Sequence, residues 1–317
     1  MEMKPAAIVL IGPTAAGKTP LACALADRLP CDLISVDSAL VFRDMNIGAA
    51  KPDAATLQRY PHRLIDLISP EHSYSAAQFR ADALREMAAS VAAGRIPLLV
   101  GGTMLYVKAL REGLADLPAA DAALRAHIDA EAAAHGWPAL HAELARLDPR
   151  TAARLQANDS QRIQRALEIV RSSGRTLDSF YAEQSAAELP YRLVTLALIP
   201  ADRQALHRRI AQRFGDMLTA GLVDEVVDLR RKYALHAELP SMRCVGYRQT
   251  WEMLEGRLPP HELFDRGLFA TRQLAKRQLT WLRSMRETID DMHIIDPFAA
   301  DPLAAAWQAL NAEGVAH

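Results

Sequence analysis

A parallel α/β sheet interrupted by a wholly helical segment is predicted from three observations. Short, uninterrupted apolar runs recur at residues 6–11, 32–36, 96–100 and 192–199, each closed by Gly, Pro or Asp. The first run opens directly into a glycine-bearing turn that ends in Gly17-Lys18-Thr19. Between the third and fourth runs, residues 121–184 carry Ala, Leu, Glu and Arg at helical spacing and offer no strand candidate. Strands buried on both faces read as continuous apolar runs, and strand–helix alternation places helices on both faces of a parallel sheet.

In chain order, residues 6–11 (AAIVLI) form a buried strand stopped by Gly12-Pro13. A helix follows over about 18–29, then a second strand over 32–36 that ends at Asp37, and a short third over 63–68. Residues 76–93 alternate apolar and polar positions at helical spacing, with Gly94 as a C-cap. The next strand, 96–100, is closed by Gly101-Gly102-Thr103. Gly136 and Gly174 punctuate the helical segment into helices over 121–135, 138–146, 149–156 and 159–173. Residues 192–199 (RLVTLALI) return to strand and rejoin the sheet. Helices then cover about 202–219, 222–233, 247–255 and 260–286, before a short strand at 292–295 and a tail helix at 302–312. The domain reading is a core of 1–120 and 187–317 with a helical insertion over 121–186.

The 317 residues are enough for such a core, and half of them apolar with 24% charged excludes a disordered chain. No apolar run approaches the roughly 18 residues of a membrane helix, so no membrane partner is expected. Met1-Glu2-Met3-Lys4 leads straight into the first strand without a cleavage-site pattern, which points to the cytoplasm rather than secretion. Cys23, Cys31 and Cys244 form no C-x-x-C pair, so neither a disulfide framework nor a thiolate zinc site fits. The formal net charge of −1 speaks against gross nucleic-acid affinity, but only as an average. Residues 203–286 hold 16 basic and 9 acidic groups, net +7, while 287–317 hold six acids and no Lys or Arg. The +7 stretch is either an electrostatic footprint for a polyanion or a set of solvated helix faces.

Gly12, Pro13, Thr14, Ala15, Ala16, Gly17, Lys18 and Thr19 match G-x-x-x-x-G-K-[ST] between a strand and a helix, the context the motif requires. Its glycines let the backbone wrap an anion, whose oxygens meet N–H groups and a helix N-terminus. Lys18 adds a point charge, and the Thr19 hydroxyl is placed for Mg²⁺. The fold class is therefore α/β with a P-loop NTPase-like parallel sheet core and an all-helical insertion domain. Asp37 ends the second strand, at the sheet edge where ligands of open α/β folds bind. There it either serves the site, holding Mg²⁺ or taking a proton from a nucleophile, or caps the next segment. Thr103 follows two glycines at the same edge; its hydroxyl faces the crevice, or the three residues are an ordinary tight turn.

Four basic segments stand out. Gln161, Arg162, Ile163, Gln164 and Arg165 begin a helix with the two arginines as i,i+3 neighbours on one face, solvated or in contact with a partner. Arg243, Cys244, Val245, Gly246, Tyr247 and Arg248 set a glycine hinge and an aromatic between two arginines, a pattern suited to a phosphate backbone or a stacked base. Lys276, Arg277, Gln278, Leu279, Thr280, Trp281, Leu282 and Arg283 lie on one helix, with Leu279 and Leu282 inward and Trp281 either core or stacking surface. His207-Arg208-Arg209-Ile210 and Arg213 follow the fourth apolar run, and Arg213 is positioned to return to the anion site.

The residues alone leave room for an ATP-dependent phosphotransferase acting on a small molecule, or for an RNA-binding nucleotide switch. Taken together, however, GPTAAGKT (12–19), ISVDSALVFRDMNIGAAKP (34–52), GGTMLYVKAL (101–110), NDSQRIQRALEI (158–169), RCVGYRQ (243–249) and TRQLAKRQLTWLR (271–283) span the chain in order. The chain resembles the tRNA dimethylallyltransferase (tRNA isopentenyltransferase) family from end to end. The resemblance implies transfer of a dimethylallyl group from dimethylallyl diphosphate to N6 of the adenosine 3′ of the anticodon in tRNA. It also implies Mg²⁺ and a target base flipped into a channel, which enclosed by one chain fits a monomer. By position it makes Asp37 the general base and Thr103 a hydroxyl that holds the adenine N6. It assigns the loop 12–19 to the diphosphate, with Arg162 and Arg213 as further contacts. It assigns Asp37, Ser38, Ala39 and Leu40 to tRNA contact, with the segments 161–165, 243–248 and 276–283, and Arg125 at the entry of the insertion. Two departures, Ala16 for the usual serine and Phe42 for the usual tyrosine, touch no group the chemistry needs.

Overall fold

The computed structural model of the chain describes residues 4–119, 121–183 and 188–316. It contains two compact units, one of Met1–Arg111 with Leu189–His317 and one of Glu112–Glu188.

The larger unit is built on a sheet of six parallel strands in the order β3-β2-β4-β1-β5-β6. The strands are β1 (Ala6–Ile11), β2 (Cys31–Val36), β3 (His62–Arg63), β4 (Ile96–Gly101), β5 (Arg192–Leu198) and β6 (Met292–Ile295). Its helices before the smaller unit are α1 (Lys18–Ala26), α2 (Ala54–Arg59), α3 (Ala76–Ala92) and α4 (Met104–Glu112). The smaller unit holds α5 (Ala122–His135), α6 (Trp137–Leu147), α7 (Pro149–Ala153), α8 (Ser160–Ser173) and α9 (Leu177–Glu183). The chain then adds α10 (Arg203–Thr219), α11 (Leu222–Lys232), α12 (Tyr247–Leu254), α13 (Leu263–Arg286) and α14 (Pro302–Ala312) to the larger unit.

Alternate side chains of a strand point to opposite faces, and both faces here are covered. Ala7, Val9 and Ile11 join a core with Phe79, Met87, Val107, Ile210 and Leu282, while Ile8 and Leu10 join another with Leu21, Leu25, Ala306 and Leu310. A third cluster packs Val41, Phe42, Met45, Phe214, Val226, Tyr247 and Trp251. In the smaller unit Ile128, Leu140, Leu144, Ile163 and Leu167 form a separate core. Within that unit Asp148, 1% exposed, caps α7 by accepting from Thr151 N at 3.1 Å and takes Leu177 N at 2.9 Å.

The third strand is shorter than residues 63–68 led one to expect. Leu64 and Asp66 take positive φ (62° and 54°), which ends the pairing after Arg63. The chain beyond pairs with 41–43 instead, through Leu67 N to Val41 O (2.8 Å) and Arg43 N to Ile68 O (2.9 Å). Two helices, α2 and α4, fall where no helix was expected, and α9 extends the helical segment beyond the last helix the sequence marks out. The longest, α4, is amphipathic and buries Met104, Tyr106, Val107 and Leu110. No helix among the described residues is long and apolar enough to cross a membrane.

Candidate active site in the larger unit

The C-terminal edges of β1, β2 and β4 meet α10 and α13 around a cavity of about 960 Å³. Of residues 12–19, Thr14, Ala15, Gly17, Lys18 and Thr19 line it. Ala15 (φ 63°) and Gly17 (φ 80°) adopt left-handed backbone, which turns the loop back on itself and delivers Gly17 as the N-cap of α1. Lys18 Nζ donates to Gly12 O (3.1 Å) and Pro13 O (2.8 Å), so the cation folds over the loop. Burial lowers the Lys18 pKa to about 8, with Asp37 opposing the shift and Arg213 adding to it. Arg213 is likewise pushed below the usual arginine range by burial, against the attraction of Asp37. Arg209 stands one turn before Arg213 on α10 and lines the same cavity. Its guanidinium nitrogens lie 3.7 and 3.8 Å from the position a Cβ on Gly17 would take. The sequence reading returns only Arg213 to the anion site; the i,i+4 spacing of Arg209 and Arg213 on one helix is the signal that brings Arg209 there too.

Asp37 follows β2 and lines the cavity. Its Oδ1 accepts from Ala39 N at 2.9 Å, and Oδ2 accepts no hydrogen bond among the described residues. The neighbouring turn is held to it by Thr103, whose N donates to Val36 O (3.1 Å) and whose hydroxyl accepts from Ser38 N (2.9 Å) and reaches Ser38 Oγ (3.2 Å). That approach is possible because residue 101 is glycine: a Cβ there would sit 2.0 Å from Val36 O. Ser38, Ala39 and Leu40 line the cavity beside them.

Helix α13 closes one wall. Arg277, Gln278 and Trp281 line the cavity, Lys276, Thr280 and Arg283 are exposed, and Leu279 and Leu282 are in the core. Trp281 is 37% exposed, which settles it as surface rather than core. Gln278 bonds the loop: its Oε1 accepts from Thr14 N at 2.8 Å and its Nε2 donates to Gly102 O at 2.9 Å. Arg243, Cys244 and Val245 line the cavity from another side, and burial with the nearby Asp37 charge pushes the Cys244 thiol up to about 12. Gly246 supplies left-handed backbone (φ 92°), and Arg248 is exposed.

Tyr247 is a correction. Its position between two arginines suggested a stacking surface, but it is fully buried and its hydroxyl donates to Glu225 Oε1 at 2.6 Å. The Glu225 carboxylate also accepts from Asn46 N (3.0 Å), Ile47 N (2.7 Å) and Gly48 N (3.2 Å). One acid on α11 thereby fixes the 46–48 loop, whose Gly48, with Ala49 and Ala50, forms part of the cavity wall.

In the smaller unit, Gln161 and Arg162 are exposed, Gln164 and Arg165 half-buried, and Ile163 is fully buried in that unit's core. Arg162 pairs with Asp159 (3.0 Å), and Gln164 Nε2 donates to Asp129 Oδ1 (2.6 Å). Arg165 and Arg125 both meet Glu168 Oε2, at 2.8 and 3.1 Å, and Asp121 N donates to Glu168 Oε1 at 2.6 Å. Burial alone would raise the Glu168 pKa, but these donors hold it below the usual range. The Ile163, Tyr247, Leu279 and Leu282 side chains thus serve packing rather than a contact surface.

Among the described residues no group of three or more His, Cys, Asp or Glu could hold a metal ion. The Thr19 hydroxyl and the Asp37 carboxylate do line one cavity with the anion loop. Hard oxygens of that kind suit Mg²⁺, which takes one or two protein donors and completes its shell with phosphate oxygens and water.

The IPP transferase family model matches residues 40–285. The chain is similar to a tRNA dimethylallyltransferase of Dechloromonas aromatica, 62% identical over 305 residues that cover 96% of this chain and 97% of the relative. It is similar to the solved tRNA isopentenylpyrophosphate transferase of Bacillus halodurans, at 33% identity and a TM-score of 0.68, covering 98% of this chain and 96% of that one. A eukaryotic dimethylallyltransferase solved acting on tRNA shares the fold, with a TM-score of 0.78 at 23% identity over 98% of this chain and 80% of that one.

Proposed function

The chain belongs to the IPP transferase family, that of the tRNA dimethylallyltransferases, and on that premise we propose that its cavity transfers a dimethylallyl group from dimethylallyl diphosphate to N6 of the adenosine 3′ of the anticodon. The observation that carries this reading is a single cavity with an anion loop, Lys18, Arg209 and Arg213 at one end and the Asp37 carboxylate beside them.

The amine N6 is a weak nucleophile because its lone pair is delocalised into the ring. As the new N6–C1 bond forms, Asp37 takes the proton from N6, a contribution of about 10²–10⁴-fold for a positioned base. The C1–O bond breaks and its electron pair leaves with diphosphate. Lys18, Arg209, Arg213 and the loop N–H groups meet that growing charge, where preorganised donors act most strongly. Thr19 would hold Mg²⁺, which supplies further charge neutralisation at the diphosphate. Thr103 keeps Ser38 and the Asp37 turn in register and offers its hydroxyl to the adenine edge.

Reaching N6 requires the base to leave its stack, at a cost of a few kcal/mol offset by contacts elsewhere on the tRNA. The exposed Lys276, Arg277, Arg283, Arg243 and Arg248 of the larger unit are assigned to those contacts, as are the exposed Gln161 and Arg162 and the half-buried Gln164, Arg165 and Arg125 of the smaller. A monomer in the cytoplasm, where tRNA is the substrate at hand, is the assembly and location that go with this reading. Incubation with unmodified tRNA, dimethylallyl diphosphate and Mg²⁺, followed by nucleoside mass analysis, tests the reading. The expected product is adenosine heavier by one dimethylallyl unit. Unaltered adenosine, with each substrate bound, would overturn it.

A further inference from the structure

Gln278 lies in the basic run 276–283, between the exposed Arg277 and the buried Leu279, and its amide is turned into the cavity that Arg277 and Trp281 also line. Both ends of that amide are used. The oxygen takes the N–H of Thr14, in the first half of the anion loop, and the nitrogen donates to the carbonyl of Gly102, at the turn after β4. These two segments follow adjacent parallel strands, and the bonds to both come from α13, outside the sheet. The approach is close: a Cβ on Gly102 would lie 2.5 Å from Gln278 Nε2, 3.3 Å from Gly12 O and 3.6 Å from Lys18 Nζ. Gln278 Nε2, the Gly12 carbonyl and the Lys18 amine therefore all crowd the open face of Gly102.

We propose that Gln278 is a positioning residue for the diphosphate site rather than a contact for RNA. It fixes the entry of the anion loop against the β4 turn and against α13, so that the later loop N–H groups and Lys18 are already set when diphosphate arrives. This rests on the reading of residues 12–19 as the diphosphate site. Amide chemistry suits the task. A carboxylate would keep the acceptor but lose the donor to Gly102 and set a negative charge beside the anion. A lysine or arginine would have no acceptor for Thr14 N–H.

The test uses the full chain with Gln278→Met, which keeps the volume and removes both hydrogen bonds, and Gln278→Glu, which keeps only the acceptor. Affinity for dimethylallyl diphosphate is measured by calorimetry, affinity for an anticodon stem-loop by fluorescence anisotropy, and KM and kcat for transfer separately. Gln278→Met is expected to weaken dimethylallyl diphosphate binding and raise its KM about tenfold, the scale of one to two neutral hydrogen bonds, with stem-loop affinity within about twofold of the parent. Gln278→Glu is expected to be worse still for dimethylallyl diphosphate, because it adds repulsion. Loss of stem-loop affinity with unchanged diphosphate affinity would overturn the proposal and make Gln278 an RNA contact. Failure of the parent chain itself to bind dimethylallyl diphosphate would overturn the diphosphate reading, and this inference with it. Comparable unfolding midpoints for the parent and Gln278→Met separate a local effect on the loop from general loss of structure.

Discussion

Lys18 makes the affinity for dimethylallyl diphosphate depend on pH in a direction that its environment dictates. Burial holds its pKa near 8, well below the ordinary lysine value of 10.5, Asp37 pulling the other way and Arg213 reinforcing the drop. A bound diphosphate is a multiply charged anion beside that amine and restores the charged form. Below pH 8 the amine is charged both with and without ligand, and affinity is flat. Between about 8 and the higher pKa of the complex, the free protein has lost a proton that the complex retains, so binding takes up a proton and affinity falls. The fall approaches tenfold per pH unit, and at pH 9, one unit above the free value, roughly nine-tenths of a proton is taken up on binding. The sign for folding is opposite: the folded pKa lies below the unfolded one, so the cost of burying a charged Lys18 is present below pH 8 and is relieved as pH rises toward 10.5. Calorimetry from pH 7 to 9.5 in two buffers of different ionisation enthalpy reads both affinity and proton uptake, with Lys18→Gln as control. The terminal phosphate of dimethylallyl diphosphate loses its last proton at roughly pH 6, below the window in which Lys18 changes state, and Lys18→Gln shares that titration, so the difference between the two profiles isolates Lys18. A flat profile in the parent chain, or an equal slope in Lys18→Gln, would refute the assignment of the titration to Lys18.

The other expectations concern groups that hold or use the same cavity. Asp37→Ala should retain stem-loop binding and lose at least ~10²-fold in transfer; near-parental transfer in single-turnover assays would remove Asp37 from the proton transfer. Glu225→Ala leaves the buried Tyr247 hydroxyl and three backbone N–H groups without their carboxylate, and should cost about 3–5 kcal/mol in denaturant unfolding. A loss below about 1 kcal/mol would mean the 46–48 loop is held by other contacts. Gly101→Ala places a methyl 2.0 Å from Val36 O and should destabilise the chain by more than ~3 kcal/mol or abolish soluble expression, whereas a parental unfolding midpoint would show that β2 and β4 can separate freely. Lys276→Ala should weaken stem-loop binding and make its salt dependence shallower by about one phosphate; an unchanged slope would place it off the RNA.

The parts of the fold legible in the sequence share one property: the information is local. A strand covered on both faces reads as a near-continuous apolar run, so residues 6–11 and 193–198, with Thr195 the one polar member, declare themselves, and the spacing of Gly12, Gly17, Lys18 and Thr19 is fixed by the anion they wrap. What stayed hidden depends on partners far along the chain. The strand expected at 63–68 fails because 41–43 offers the pairing instead. Tyr247 reads as an exposed aromatic among arginines until Glu225, 22 residues earlier, supplies an acceptor for its hydroxyl inside the core. Gln278 and Thr14 are 264 residues apart, and no periodicity relates them.

Those hidden partners are not scattered. Thr103 on Ser38, Glu225 on the 46–48 loop and Gln278 on Thr14 and Gly102 each fasten a cavity-lining loop to a different element. The groups assigned to chemistry sit on segments with few backbone bonds of their own, and a loop held only by itself cannot keep donors within the few tenths of an ångström that electrostatic stabilisation requires. Rigidity must therefore be imported from neighbouring strands and helices. It arrives through single polar side chains because these alone can satisfy loop N–H and C=O groups while leaving the cavity open to an anion. A polar residue whose two hydrogen-bonding ends are engaged by two different loops is on this logic the mark of a site that must be preorganised before its substrate binds.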